Sequence, residues 1–144
     1  MAYNILLVDD SLPMRGVIKK IVKASGFKVG EFFEAGNGKE ALDILNDQWI
    51  DLVLTDYNMP DMDGLALLEA MGNDEILKSI PVVMITTEGS RQRVNEFMEK
   101  GASNYIKKPF TPEQIKQTIQ PLMGEMPDED EDSGADSSDD EFDF

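Results

Sequence analysis

The sequence predicts an α/β protein built on a doubly wound, five-stranded parallel sheet with helices on both faces. Three observations point there. Short apolar runs alternate with amphipathic stretches five times along residues 3–123, the order that yields a parallel sheet. The runs are apolar almost throughout, as strands covered on both faces must be. Three of the five also stop abruptly at an acid or a hydroxyl residue, and ligands of open α/β sheets gather at the carboxyl ends of the strands.

Taken in order, YNILLV (3–8) is the first strand and ends at Asp9 and Asp10. SLPMRGVIKKIVKASGF reads as a helix, with Leu12, Val17, Ile18, Ile21 and Val22 at helical spacing and Gly26 as its stop. FKVGEFFEA (27–35) is the second strand, interrupted by Gly30. Asn37 caps a helix whose apolar stripe is Ala41, Leu42 and Leu45. IDLVLTD (50–56) is the third strand, and Asp63 caps a short helix from Gly64 to about Met71. PVVMIT (81–86) is the fourth strand, with Pro81 tolerated at its first position. SRQRVNEFMEK (90–100) is helical and stops at Gly101, and SNYIKK holds a brief fifth strand. Thr111, Pro112, Glu113 and Gln114 start a last helix that is expected to run to about Met123.

At 144 residues, 41% of them hydrophobic, the chain is sized for one domain with a single core. The net charge of −16 is uneven: residues 125–144 hold eleven acids and no base, leaving 18 acids against 13 bases in residues 1–124. We read residues 1–124 as the folded domain and 125–144 as an acidic tail, whose charge and lack of hydrophobic period predict disorder. Such a field repels a nucleic-acid duplex. No apolar run is long enough to insert in a membrane, and MAYNILLVDD has neither the basic region nor the cleavage site of a secretory leader. With no cysteine the chain fits a reducing, cytoplasmic setting. The absence of histidine excludes a Ser-His-Asp triad and imidazole-bound zinc. Metal chemistry must then use oxygen ligands, which favours magnesium, calcium or manganese.

Asp9, Asp10, Asp56 and Thr86 fall at the carboxyl ends of expected strands, and Lys108 lies just past another. Clustered carboxylates repel unless a cation or a shared proton compensates. Magnesium suits this set, because it takes few carboxylates, keeps several waters and pairs with phosphate. Lys108 adds a point charge at the rim, and Thr86 and Thr87 offer hydroxyl donors to a phosphoryl oxygen. These residue types point to phosphoryl transfer, with the Asp56 carboxylate attacking phosphorus. Taken singly, each acid could equally be a cap or turn residue.

LLVDDS (6–11), LTDYNMPDMDG (54–64), PVVMITTEG (81–89) and GASNYIKKPF (101–110) occur in the order found in the response-regulator receiver domain of two-component signalling. The chain resembles that family over roughly residues 3–123, and within it is most similar to the stand-alone chemotaxis regulators. The resemblance implies a flavodoxin-like sheet of strand order 2-1-3-4-5. It implies that Asp56 is the phosphoacceptor, that Asp10 binds Mg2+ directly with Asp9 acting mostly through water, and that the Asn58 backbone carbonyl is a further ligand. It gives Thr86 and Tyr105 the part of switch residues and Lys108 that of the catalytic lysine, with Lys108–Pro109 cis. Asn58 and Glu88 match positions that tune phosphate lifetime. The basic residues Arg15, Lys19, Lys20 and Lys23 lie where such domains meet a histidine kinase or a phosphatase, and the output partner implied is a protein such as a flagellar switch component.

Two other classes compete. A small phosphohydrolase with an aspartyl nucleophile shares the chemistry, but usually carries a general-acid Asp two residues on, where this chain has Asn58. A pure adaptor with a vestigial site needs none of these side chains. The acidic tail departs from the minimal family pattern: with the two Phe residues of DDEFDF among its acids, it suits a solubilising tail, a docking peptide for another protein, or self-association with the basic patch of the same molecule or of a neighbour.

Overall fold

The computed structural model describes residues 2–59, 62–87 and 89–123. Five strands form one parallel sheet: β1 (Tyr3–Val8), β2 (Val29–Ala35), β3 (Leu52–Asp56), β4 (Val82–Thr86) and β5 (Asn104–Lys107), in the spatial order β2-β1-β3-β4-β5. Five helices alternate with them: α1 (Leu12–Ala24), α2 (Gly38–Asp47), α3 (Gly64–Gly72), α4 (Arg91–Glu99) and α5 (Pro112–Ile119).

Successive side chains of a strand point to opposite faces, and in the central strands β1, β3 and β4 both faces are buried. Leu6, Val8, Val53 and Met84 join Ala41, Leu45, Leu67, Met71 and Phe97 in one apolar layer, under α2, α3 and α4. Ile5, Leu7, Leu52, Leu54, Val83 and Ile85 join Ile18, Val22, Ile115 and Ile119 in the other, under α1 and α5. The near-continuous apolar runs are thus two interleaved stripes, one for each layer.

Every helix begins with a side-chain oxygen that accepts a backbone N–H of its first turn. The pairs are Ser11 with Met14, Asn37 with Glu40, Asp63 with Ala66, Ser90 with Arg93 and Thr111 with Gln114. Each such cap stabilises by about 1 kcal/mol. At Thr111 the contact is reciprocal, since the Gln114 side chain accepts from the Thr111 N–H. Gly26, at φ +87°, and Gly101, at φ +109°, end the first and fourth helices in a backbone region that other residues rarely adopt.

Several expectations need correction. The last helix stops at Ile119 and not near Met123. Pro121 has no N–H to continue the ladder and crowds the preceding turn, so Leu122 and Met123 instead donate to the Ile119 carbonyl. Leu12 and Val17 are not core residues; they are 66% and 48% exposed, and α1 buries Ile18 and Val22 fully. The second strand begins at Val29, and its pairing with β1 shifts register across Gly30, where an added Cβ would lie 2.9 Å from the Asn4 side chain. A 3₁₀ turn at Leu77–Ser79 precedes the fourth strand without a sequence signal that was read as such. The tail assigned to residues 125–144 lies outside the described residues.

Candidate functional site

Because β1 is hydrogen-bonded to both β2 and β3, the direction of winding reverses between β1 and β3. A crevice opens at the carboxyl ends of strands at such a point. Parallel register then aligns the strand ends: Val8 faces Thr55, Asp56 faces Ile85 and Thr86 faces Lys107. Asp9 follows β1, Asp56 ends β3, Thr86 ends β4 and Lys108 follows β5, so all four stand along one edge.

One carboxylate oxygen each from Asp9, Asp10 and Asp56 lies within 4.8 Å of the others. Asp9 and Asp56 are buried, whereas Asp10 is exposed. Asp9 is held firmly on one side. Its Oδ1 accepts the Ser11 N–H at 2.8 Å, its N–H donates to the Ala35 carbonyl, and its own carbonyl accepts from the Arg15 guanidinium. Its other oxygen, Oδ2, is buried with no partner among the described residues. A buried carboxylate oxygen without a donor is costly, which makes that atom a coordination site in waiting.

Opposite stands Lys108, whose Nζ is 3.4 Å from Asp56 Oδ1. Burial pushes the Asp56 carboxyl above the usual aspartate range; Lys108 opposes that shift and the Asp9 charge adds to it. Three carboxylates against one ammonium leave the site short of positive charge. Oxygen ligands on opposite sides of a divalent ion lie about 4–5 Å apart, so the spacing of the three acids fits such an ion. The donor set and the orphaned Asp9 Oδ2 therefore suit a hard divalent cation.

Other residues singled out in the sequence are placed as follows. Thr86 is 1% exposed, and its carbonyl accepts the Lys108 N–H at 2.7 Å, tying the ends of β4 and β5 together. Thr87 is exposed at the rim. Tyr105 is partly buried against the layer under α2, α3 and α4. Asn58 is exposed in the loop just past Asp56. Lys108–Pro109 is cis, and Phe110 packs into the layer under α1 and α5. Glu88, read as a lifetime-tuning residue, lies outside the described residues. On α1, Arg15 and Lys19 both bind Glu34 of β2, at 2.8 and 2.6 Å.

Two features were not read from the sequence. Gly64 passes so close to the end of β3 that an added Cβ would sit 2.7 Å from the Asp56 carbonyl oxygen and 3.1 Å from Tyr57 Cα. The Asp-Gly pair had signalled only a helix start. Tyr57, next to Asp56, accepts a hydrogen bond at 2.6 Å from Arg93 of α4, whose guanidinium also lies 4.6 Å from the ring centre and binds Glu96. The Tyr57 ring packs on Phe97 with centroids 5.3 Å apart. Nothing local in the sequence joins residues 57 and 93.

Among the described residues no helix is long and apolar enough to cross a membrane. The sequence profile of the response regulator receiver domain matches residues 5–120. The chemotaxis protein CheY1 of Helicobacter pylori is 39% identical over 122 residues, covering 84% of this chain and 97% of that protein. The structure of the chemotaxis response regulator CheY4 of Vibrio cholerae superposes with a TM-score of 0.75 at 30% identity, over 85% of this chain and 99% of that one. The signal receiver domain of a signal transduction histidine kinase from Syntrophus aciditrophicus gives 0.75 at 28% identity, over 92% and 98%. The chain belongs to the response regulator receiver domain family.

Proposed function

We propose that this protein is a phosphorylation-switched signalling protein that accepts a phosphoryl group on Asp56 from a histidine kinase and acts by binding other proteins, in chemotaxis. The observation that carries this reading is the approach of Asp9, Asp10 and Asp56 oxygens within 4.8 Å, with the Lys108 ammonium 3.4 Å from Asp56. Chemotaxis follows from the likeness to the regulators of Helicobacter and Vibrio. A flagellar switch component is the output partner that fits that setting, and a phosphatase a further one.

Asp9, Asp10, Asp56 and the Asn58 carbonyl are the residues that hold Mg2+ in this reading. When bound, the ion offsets charge on the phosphoryl oxygens and on the three acids. An Asp56 oxygen attacks phosphorus as the phosphorus–nitrogen bond of the donor breaks, and that electron pair leaves with the imidazole. Lys108, which faces Asp56, pairs with a phosphoryl oxygen and offsets its charge. The Thr86 hydroxyl donates to a second oxygen, and Tyr105 moves into space that Thr86 vacates, which alters the face made by α4, β5 and α5. Hydrolysis reverses the event: water attacks phosphorus and the Asp56 carboxylate leaves, with Asn58 and Glu88 bordering the line of approach. The protein turns over no separate substrate, so it is a switch rather than an enzyme of metabolism.

Acetyl phosphate with Mg2+ tests the reading directly by intact-mass spectrometry. The wild type is expected to gain one phosphoryl mass, and Asp56→Asn, or wild type with chelator in excess, to gain none. A wild type that stays unmodified, or an Asp56→Asn variant labelled equally, rejects it.

A further inference from the structure

The expected core stripe of α1 is wider than the core it meets, and the excess lies beside the site. Leu12 and Val17 stand exposed on α1, 66% and 48% accessible. Val17 also lines an almost wholly apolar groove of about 340 Å³, together with Met14, Ile21, Thr87, Lys108 and Phe110. Lys108, whose ammonium faces Asp56, is thus among the residues of the groove. The helix forming its wall carries four bases, Arg15, Lys19, Lys20 and Lys23, and no acid. Glu34 of β2 offsets part of that charge through Arg15 and Lys19, while Lys20 and Lys23 are exposed on the same helix.

Residues 125–144 are complementary in both respects. They contain eleven acids and no base, and their large apolar side chains are Met126, Phe142 and Phe144. Reach is sufficient. Met123 follows the C-terminal end of α5 and Phe110 precedes its N-terminal end, so the two are separated by roughly 12 Å of helix and the turns that flank it. Phe142 comes 19 residues after Met123, and a chain of that length can span about 60 Å. The surface of α4 is a poorer match: one of its clefts is lined by Glu96 and Glu99, and in another Arg93 is already paired with Glu96.

We propose that the segment around Phe142 and Phe144 docks in this groove of its own chain, with the aromatic rings against Met14, Val17 and Phe110 and the acids along the basic face of α1. Aromatic anchors within a charged rim are the usual composition of a tight contact, and tethering raises the local concentration to the millimolar range. The docked segment covers the rim next to Lys108. The contact is independent of phosphoryl chemistry at Asp56, and its test uses none.

The chain has no cysteine, so Ser137→Cys in the full-length protein gives a single site for a nitroxide label. In 15N-labelled protein the label is expected to broaden the amides of Val17, Thr87 and Phe110 well beyond those of α3. Adding Phe142→Ala with Phe144→Ala, or Val17→Asp at its exposed site, should restore those amides, and raising salt should weaken the broadening at least about twofold. Broadening that is absent, that centres on α4 or elsewhere, or that survives all three changes overturns the proposal. So does broadening that appears only between a labelled copy and an unlabelled 15N copy mixed with it, since that places the segment on a neighbour.

Discussion

Asp56 is buried beside two other carboxylates, and its charge is tolerated at a cost. Its pKa in the fold is raised, first by burial, with Lys108 opposing and Asp9 adding to the rise. For a carboxyl with a raised folded pKa, the favourable contribution is complete below the unfolded value and is lost as pH rises through the folded one. Ionising Asp56 thus weakens the fold where no divalent ion offsets its charge. Asp56→Asn should raise the melting temperature in chelator, and any further rise on adding Mg2+ should be smaller than in the wild type. A lower melting temperature for Asp56→Asn in chelator runs against this account of the site. Gly64 is limited by space instead. Its missing Cβ leaves room for the Asp56 carbonyl, which is main chain and cannot swing aside. Gly64→Ala should cost about 1–3 kcal/mol in denaturant unfolding and slow acetyl phosphate labelling, whereas the same change at Gly72, where nothing lies within 4 Å, should do neither.

Between elements, Glu34 shows how the basic face of α1 is fixed. Arg15 and Lys19 both donate to it, and those bonds, Lys19 first, hold its carboxyl below the usual glutamate range. A depressed acid stabilises above its unfolded pKa and loses that contribution as pH falls through the folded one. Glu34→Gln should lower stability near neutrality by about 0.5–1 kcal/mol, and the gap should close in melting curves taken as pH drops below the carboxylate range. A gap of constant size down to acid pH tells against the ion pairs as its source. The same helix shows what sequence can and cannot disclose. Caps and apolar periods are local, so all five helices and all five strands were legible, as were the strand-end acids and Lys108. The width of the covered face on α1 is set by where α5 lies, so Leu12 and Val17 were assigned to a core that does not reach them. The end of α5 was missed although Pro121 signals it locally. The Tyr57–Arg93 contact, spanning 36 positions, depends on the placement of α4 and leaves no local trace.

Across the molecule, the sheet divides two apolar layers, and the site sits at an end common to both. Two links join the site to α4. The chain itself runs from Thr86 to the cap at Ser90, and Tyr57 adds a second link. The Tyr57 N–H donates to Ile85 of β4, its carbonyl accepts from Gly64 of α3, and its side chain meets Arg93 and Phe97 of α4. The residue next to Asp56 is thereby fixed to three elements at once, and Tyr57 joins the chain beside the acid cluster directly to α4. Packed elements of this kind respond by moving between discrete arrangements. Arg93→Ala removes the polar half of the link and leaves Tyr57 on Phe97. Labelling by acetyl phosphate should be unchanged, because Arg93 belongs to no part of the acid cluster. The change in hydrogen exchange that phosphorylation produces across residues 91–107 should fall by about twofold to fivefold, the loss of roughly 0.5–1 kcal/mol of coupling. Exchange over α2, at the opposite edge of the sheet from β5, should be the same in both proteins. If Arg93→Ala responds to phosphorylation as the wild type does, the signal travels through residues 86–90 and Tyr57 is only a packing residue.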